Sequence, residues 1–338
     1  MNDSVTIVIP THCRHSYLRR CVDWFSKGGY PIVVADSTST PWNVPSPLRN
    51  VNYVHVPGGF EVYTNKLLQA LNRVNTPFVA FCADDDLILP SGLDQSVDFL
   101  KSNVDYSFCQ GYSYLFQEIC HNFILWPMHY DYHDDSSPSW LDRVCSPKST
   151  VYYGVNTTSV IGEALLFMEE SQFLTSVNHI AAIDFVLTAT VAKHGKFKRL
   201  RVPFGLREYS SNPTSISRGE MLFDDQFSSF NRSLVRHLCS NSADSTIAKM
   251  RLTNLIIEDF AANALYDLKK PISKLRDLVA ALPAGLQSFC ELSLRIKNSC
   301  QSFLRPGYLP AWSVFCEPGY YEAIRHIRAS AREEPNKT

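Results

Sequence analysis

The chain has 338 residues, of which 45% are hydrophobic and 19% are charged. These proportions are typical of a globular protein with a sizeable core, and the length allows one large domain or a domain with an appendage. The formal net charge is −1, so no global positive field favours nucleic acid as a partner. No apolar run reaches the ~20 residues that a helix needs to span a bilayer.

The first apolar run, VTIVIP, follows an acidic start and is too short for the core of a signal peptide. The ten cysteines are scattered through the sequence without any CxxC pair. Scattered cysteines in apolar runs are typical of reduced thiols that pack as small hydrophobic side chains. We therefore expect a cytoplasmic protein, located in the cytoplasm or at the inner face of the membrane, without a structural zinc site.

Strand-like and helix-like patterns alternate through the first third of the chain. Apolar runs bounded by turn residues predict strands, and apolar residues at helical spacing predict helices. The elements predicted in this part are strand 5–10, helix 16–25, strand 30–36, strand 51–56, helix 62–74, strand 78–82 and helix 92–102. Such alternation predicts an α/β fold, with a Rossmann-like, mostly parallel central sheet flanked by helices.

The pattern changes in the middle of the chain. The elements predicted next are aromatic-rich strands and loops over 105–160, helix 163–175, helix 181–194, strand 196–202 and a polar loop over 207–219. Strand signals then nearly vanish, and residues 251–268 and 271–282 have helical spacing. We predict one domain over residues 1–218, a helical C-terminal region over 219–330 and a disordered tail over 331–338.

Polar residues follow three of the predicted strands at the point where each strand ends. Thr11 follows the first strand and Asp36 ends the second. Three consecutive acids, Asp84, Asp85 and Asp86, follow a later strand. Because ligands of such sheets bind outside the carboxyl ends of the strands, we expect one site there. Three adjacent carboxylates suit Mg²⁺ or Mn²⁺, which would also offset the charge of a diphosphate, although the triplet alone is compatible with a solvated acidic turn.

Four segments in this order resemble the nucleotide-sugar glycosyltransferases of the GT-A fold, in particular the bacterial family-2-like group. VTIVIPTHCRHSYLRRCVDWF resembles the opening strand and helix of that family, and PIVVADSTS resembles its second strand. TPFVAFCADDDLILPSGL resembles the strand and the acidic DxD loop. IDFVLTATVAKHGKF, residues 183–197, resembles the segment in which an acid opens a helix that ends at glycine. The resemblance covers residues 4–215 and implies a GT-A fold with a helical C-terminal extension.

The resemblance implies roles for the residues near the ends of the first strands. Asp36 would bind the base or ribose of a donor nucleotide, with Pro10 and Thr11 beside the base. Lys66 would lie on a helix that faces the nucleotide, and Arg14 would lie near the donor. Asp36 has a structural alternative as the start of an Asx turn. For Arg14 the alternative is a solvated basic surface, shared with His15, Arg19 and Arg20.

The acidic loop departs from the family pattern. The acid that usually opens the DxD loop is replaced by Ala83, so the triplet is displaced by one position. We therefore predict Asp86 as the direct ligand of Mn²⁺ or Mg²⁺, with Asp84 and Asp85 at the nucleotide-sugar. The histidine element that the family has downstream is replaced by LREYSS here. Within this segment, Arg207 would contact phosphate.

Asp184 corresponds to the acid that removes the acceptor proton in the family. The residue before it is Ile183, so Asp184 lacks the second acid that the family usually has. Its structural alternative is an N-cap, since Asp is favoured where a helix begins. The aromatic stretch that includes Trp126 and residues 129–135 could be interpreted as a metal cluster, but its spacing matches no standard metal site. We predict instead that it binds the acceptor, because sugars stack on aromatic rings.

The resemblance thus implies a metal-dependent glycosyltransferase that moves a sugar from a nucleoside-diphosphate sugar to a hydroxyl of a glycan or lipid-linked acceptor, with inversion favoured. The implied setting is bacterial surface-polysaccharide synthesis. Two alternatives stay open: a GT-A-like protein that binds nucleotide-sugar or glycan without turnover, and a sugar-phosphate nucleotidyltransferase, which the lack of glycine in IPTHCRHSY disfavours. The basic and aromatic residues over 294–312 are compatible with a peripheral membrane contact or with packing in a homodimer.

Overall fold

A computed structural model describes most of the first 208 residues and three later segments of the chain. The described residues are 4–43, 50–119, 122–127, 137–145, 151–171, 178–208, 227–240, 246, 248–257 and 319–332. Their labelled helices and strands are β1 (Val5–Thr11), α1 (His15–Lys27), β2 (Ile32–Asp36), β3 (Val51–His55), α2 (Tyr63–Leu71), β4 (Phe78–Phe81), β5 (Leu87–Ile88), α3 (Pro90–Ser102), β6 (Tyr106–Ile119), β7 (Asn122–Pro127), α4 (Trp140–Cys145), β8 (Val155–Thr157), α5 (Thr158–Glu170), α6 (Asn178–His194), β9 (Lys196–Glu208), α7 (Phe227–Leu238) and α8 (Tyr320–Arg332). Short 3₁₀ turns, Phe60–Val62 and Val151–Tyr153, precede α2 and β8.

The strands form one sheet whose two halves differ in direction. The order is β3-β2-β1-β4-β8-β6-β9-β5, with β7 paired to β6. Strands β1 to β4 pair in parallel, as predicted. Beyond them, β8 is antiparallel to both β4 and β6, and β5 is antiparallel to β9, whereas β6 and β9 are parallel. The mostly parallel sheet expected from the sequence is therefore parallel in its first half and mixed in its second.

Helices cover both faces of the sheet, and alternate residues of the parallel strands enter opposite clusters of apolar side chains. In β1, Val8 belongs to one cluster, whereas Ile7 and Ile9 belong to the other. Helices α2, α5, α6 and α7 pack in the first cluster, and α1, α3 and α8 pack in the second. Strands that are buried on both faces are continuously apolar, which explains why VTIVIP has no alternating pattern.

The described helices near the C-terminus share this core. Leu234 of α7 lies in the first cluster, and Ile324 of α8 lies in the second. The ring nitrogen Nε2 of His326 in α8 lies 2.6 Å from the carbonyl oxygen of Arg20 in α1. These contacts attach α7 and α8 to opposite faces of the sheet.

Several predictions about the later half of the chain concern residues outside the described ranges. The boundary near residue 218, the helix over 271–282 and the segment over 294–312 are among them. Residues 248–257 are helical, in agreement with the spacing over 251–268. Helix α8 continues to Arg332, so the first two residues of the predicted disordered tail are helical.

Two predicted boundaries are wrong. Residues 158–160 were expected in a strand or loop, but α5 begins at Thr158, directly after the three-residue strand β8. Strand β9 continues to Glu208, where a loop was expected from residue 207. The pairing of β9 with β6 extends to Glu208, which lies opposite Phe116, and it overrides the polar composition of that segment. Among the described residues, no helix has the length and apolar character needed to cross a membrane.

Candidate active site

The carboxyl ends of three neighbouring parallel strands meet at one side of the sheet. Thr11 at the end of β1 lies in register with Asp36 at the end of β2. The hydroxyl of Thr11 also donates a hydrogen bond of 2.7 Å to Oδ2 of Asp84, which follows β4. Pro10, in register with Ala35, is buried directly before Thr11. The region formed by Thr11, Asp36 and Asp84 is called the strand edge below.

Asp36 is completely buried and its carboxylate accepts three hydrogen bonds. Its Oδ1 accepts from the backbone N–H of Thr38 at 2.8 Å, which is the contact of an Asx turn. Its Oδ2 lies 2.7 Å from the hydroxyl of Tyr53 and 2.9 Å from Nε2 of His15. Burial alone would raise the pKa of Asp36, but these hydrogen bonds hold it below its ordinary value. An approaching ligand therefore meets Tyr53 and His15 before it meets Asp36.

Lys66 of α2 joins the ends of β1 and β2 from beneath. Its side chain is 2% exposed, and Nζ donates to the carbonyl oxygen of Thr11 at 2.8 Å and to the hydroxyl of Ser37 at 2.9 Å. Burial lowers the pKa of Lys66 to about 8, although the charges of Asp36 and Asp84 oppose this shift. In this arrangement Lys66 positions the strand edge.

Arg14, in the loop before α1, forms ion pairs with the first two acids of the triplet. One terminal nitrogen lies 3.4 Å from Oδ1 of Asp84, and the other contacts Oδ2 of Asp85. The guanidinium also lies over the ring of Tyr17, 4.8 Å from its centre. Burial raises the pKa of Asp84 to about 6, with the charge of Arg14 opposing the shift.

Asp86 meets a different arginine, which arrives from the second half of the sheet. Pairing of β5 with β9 brings Arg207 beside the acidic loop, and Arg207 Nε donates to Oδ2 of Asp86 at 3.1 Å. The backbone N–H of Glu208 donates to Oδ1 of Asp86, also at 3.1 Å. Burial raises the pKa of Asp86 to about 7 against the charge of Arg207. Arg207 is itself held by Tyr153, which accepts a hydrogen bond of 2.7 Å and stacks beneath the guanidinium.

Asp184 lies inside α6, which begins at Asn178, so the N-cap interpretation is wrong. The residues before it, NHIAAI, have no helix breaker and extend the helix towards the N-terminus. Burial raises the pKa of Tyr63, its hydrogen bond to Tyr152 lowers it, and the charges of Asp184 and Asp84 raise it further. Asp184 is half-buried on α6.

This geometry agrees with comparisons to known proteins. Residues 6–152 match the family model described as Glycosyl transferase family 2. This match supports a glycosyltransferase of the family-2 type. It is similar in fold to the crystal structure of S. aureus TarS 1–349, with 12% identity and a TM-score of 0.52, covering 82% of this chain and 78% of that one. The same TarS segment in complex with UDP-GlcNAc gives 13% identity and a TM-score of 0.56, covering 84% and 82%. No curated protein sequence matches the chain significantly.

These similarities confirm the predicted family and the GT-A fold. The matched residues contain the strand edge, Lys66 and the acidic triplet of the glycosyltransferase. Asp184 and Arg207 lie beyond the matched residues, although the fold brings Arg207 to Asp86. The predicted acceptor loop over 129–135 lies outside the described residues, as do the side-chain contacts of Trp126.

Arg20 shows what sequence reasoning missed in the glycosyltransferase. It was assigned to a solvated surface, but it is 6% exposed and donates to the carbonyl oxygen of Asp85 and to the carboxylate of Glu208, each at 2.7 Å. Its helical spacing places it almost opposite Leu18, on the side expected to be polar. The residues that bury it are distant in sequence, so no local signal could have found it. The contacts of His15, Tyr53 and Tyr153 were missed for the same reason.

Family-2 enzymes of the GT-A fold commonly use a divalent metal ion, so the donor set of the acidic loop decides whether one fits. Asp86, the predicted ligand, is 5% exposed, and each of its oxygens already accepts a hydrogen bond. Asp84 is 3% exposed and is engaged by Thr11 and Arg14. In the part of the chain that the structure describes, no three His, Cys, Asp or Glu side chains are arranged to hold an ion. The described arrangement therefore does not fit a resident ion.

Proposed function

We propose that this glycosyltransferase transfers a sugar from a nucleoside-diphosphate donor to a hydroxyl group of a glycan or lipid-linked acceptor. The observation that carries the proposal is the convergence of Thr11, Asp36 and Asp84 at the carboxyl ends of three parallel strands, where ligands of α/β sheets bind. The complex of S. aureus TarS with UDP-GlcNAc, which is similar in fold, supports a nucleotide-sugar as the donor.

The nucleoside is assigned to the side of the cleft formed by β1 and β2. His15 and Tyr53 cover the buried carboxylate of Asp36, so the base or ribose would contact these side chains while Asp36 orients them. Lys66 would hold this edge in place through Thr11 and Ser37 without reaching the ligand. The diphosphate is assigned to the loop where Arg14 and the acidic triplet lie.

The acceptor is assigned to the side of Asp184. In an inverting transfer, the acceptor oxygen forms a bond to the anomeric carbon as the bond from that carbon to the diphosphate breaks. The acceptor proton passes to the carboxylate of Asp184, and the nucleoside diphosphate leaves. General bases must lie within hydrogen-bond reach of the proton they remove, and the partial exposure of Asp184, which leaves its carboxylate accessible, supports this role.

Bacterial surface-polysaccharide synthesis is the proposed setting, by analogy with the family. Catalysis is proposed for residues 1–218, whereas the membrane contact and the homodimer stay predictions about residues outside the described ranges. Dependence on Mn²⁺ or Mg²⁺ through Asp86 also stays a prediction, and no step above passes through an ion.

A screen of nucleotide-sugars by thermal denaturation tests the proposal. A ligand that binds the native state increases the free energy of unfolding, by about 2.7 kcal/mol at a concentration of a hundred times its Kd, and so raises the melting temperature. One family of nucleoside-diphosphate sugars should raise it by several degrees, and the free monosaccharides should not. The stabilising donor should then be consumed, by transfer when acceptor glycans are added or by hydrolysis in their absence. A chain that no nucleotide-sugar stabilises, with or without MnCl₂, would contradict the proposal.

A further inference from the structure

The acidic triplet is already paired with two of the protein's own cations. Asp84 and Asp85 form ion pairs with Arg14, and Asp86 forms one with Arg207. Three adjacent carboxylates need a counter-charge, and in the described arrangement two arginines supply most of it.

One of these arginines is much more accessible than the other cations of the cleft. The side chain of Arg14 is 40% exposed, compared with 22% for Arg207 and 7% for Arg20, and Lys66 is 2% exposed. Arg14 also directly precedes α1, a helix of 13 residues whose N-terminal end favours negative charge. A diphosphate that enters at the carboxyl ends of the strands therefore meets Arg14 first.

We propose that Arg14, oriented by Asp84 and Asp85, takes the charge of the leaving diphosphate, so that nucleotide binding does not require a divalent ion. A guanidinium has five N–H donors in a rigid fork and can contact two carboxylates and a phosphate at once. The two acids and the ring of Tyr17 fix the orientation of this fork before the ligand arrives. The inference rests on the proposed function, because it concerns the donor of that same site.

Calorimetric titration of the wild-type protein with UDP, GDP, ADP and dTDP tests this inference, in EDTA and in excess MnCl₂. The nucleotide that binds should do so with affinities within about threefold in the two buffers. Arg14→Gln should weaken its binding about tenfold or more in both, because a charged hydrogen bond is lost. Arg14→Lys should keep the charge without the fork and lose less. Arg19→Gln is the matched control, since Arg19 is exposed on α1, the helix that follows Arg14, and it should change binding less than twofold.

The opposite pattern would overturn the inference. Binding that appears only in MnCl₂, is abolished by Asp86→Asn and is unchanged in Arg14→Gln would return the counter-charge role to a metal ion on Asp86. Such a result would leave the proposed function intact. Failure of all four nucleotides to bind in either buffer would contradict the proposed function and this inference together. If Arg14→Gln does not fold, Arg14→Lys in the two buffers gives the same decision.

Discussion

The two halves of the sheet hold their site residues in different ways. At the ends of β1, β2 and β4, the polar side chains are almost fully buried and share several hydrogen bonds, as Asp36 does with its three donors. In the second half, Asp184 and Arg207 are only half-buried, and they lie on a helix and on a strand that are distant from the acidic loop in sequence. The first half is thus built as a rigid frame, whereas the second half contributes residues from separate elements.

The difference follows from the direction of the strands. In a parallel sheet every strand ends at the same side, so polar residues that follow successive apolar runs lie close to one site. The second half mixes parallel and antiparallel pairs, and the end of a strand there does not predict the side on which a residue lies. We therefore expect substitution of Asp184 to change mainly the turnover, and substitution of the buried groups at the strand ends to change mainly the free energy of unfolding.

The largest effect is expected on the acceptor side, from Asp184→Asn. The amide keeps the size of the side chain but cannot accept the acceptor proton, and loss of a general base typically lowers a rate about 10²–10⁴-fold. The turnover of the stabilising donor, measured at saturation with an acceptor, should fall by this factor. Donor affinity and the free energy of unfolding should change little, because the side chain is only half-buried.

Asp98→Asn is the matched control for this variant. Asp98 is exposed on α3 and should leave turnover unchanged. If Asp184→Asn retains substantial turnover, the base lies elsewhere and the acceptor side has been placed wrongly. If it unfolds instead, Asp184 belongs to the structural frame and the contrast between the halves fails.

The sequence predicts that the polar residues at the strand ends converge, but it does not predict which residues they contact, for a physical reason. An apolar run such as VTIVIP predicts a strand, and the polar residue after it marks the carboxyl end of that strand. Thr11, Asp36 and Asp84 could therefore be predicted to lie at the same side of the sheet. Hydrogen-bond partners are not local, and neither the burial of Arg20 nor the cover over Asp36 has a signal in the sequence. The polar composition around Arg207 predicts a loop. The residue lies in β9 instead, because pairing of that strand with β6 and β5 outweighs the local composition.

The second expected effect is a minimum of stability between about pH 7 and 8, caused by the buried groups of the frame in the first half. The raised pKa values of Asp84, about 6, and Asp86, about 7, mean that the native state keeps protons that the unfolded chain releases. The free energy of unfolding should therefore fall as the pH rises from about 4 to 7. The lowered pKa of Lys66, about 8, has the opposite sign, so stability should rise again from about pH 8 to 10.5.

Urea denaturation across this pH range measures both limbs. The alkaline limb, caused by Lys66, should span about 3 kcal/mol, and the acid limb, to which two carboxyl groups contribute, should span about twice as much. Lys66→Met should remove the alkaline rise, and Asp84→Asn should reduce the acid fall. Asp98→Asn should alter neither, because its side chain is exposed in both states. An alkaline rise that persists in Lys66→Met would show that another group titrates there.

The smallest effect is expected where the second half touches the acidic loop, from Tyr153→Phe. The hydroxyl of Tyr153 accepts one hydrogen bond from Arg207, while the ring, 3.7 Å from the guanidinium carbon, remains as a stacking surface in the variant. Loss of one such bond should lower the free energy of unfolding by about 1 kcal/mol, measured by urea denaturation at constant pH. Tyr153→Ala removes the ring as well and should lose more. A loss above about 3 kcal/mol in Tyr153→Phe would mean that Arg207 is held as firmly as Asp36, because only a rigid, buried network leaves that much unsatisfied when one hydroxyl is removed.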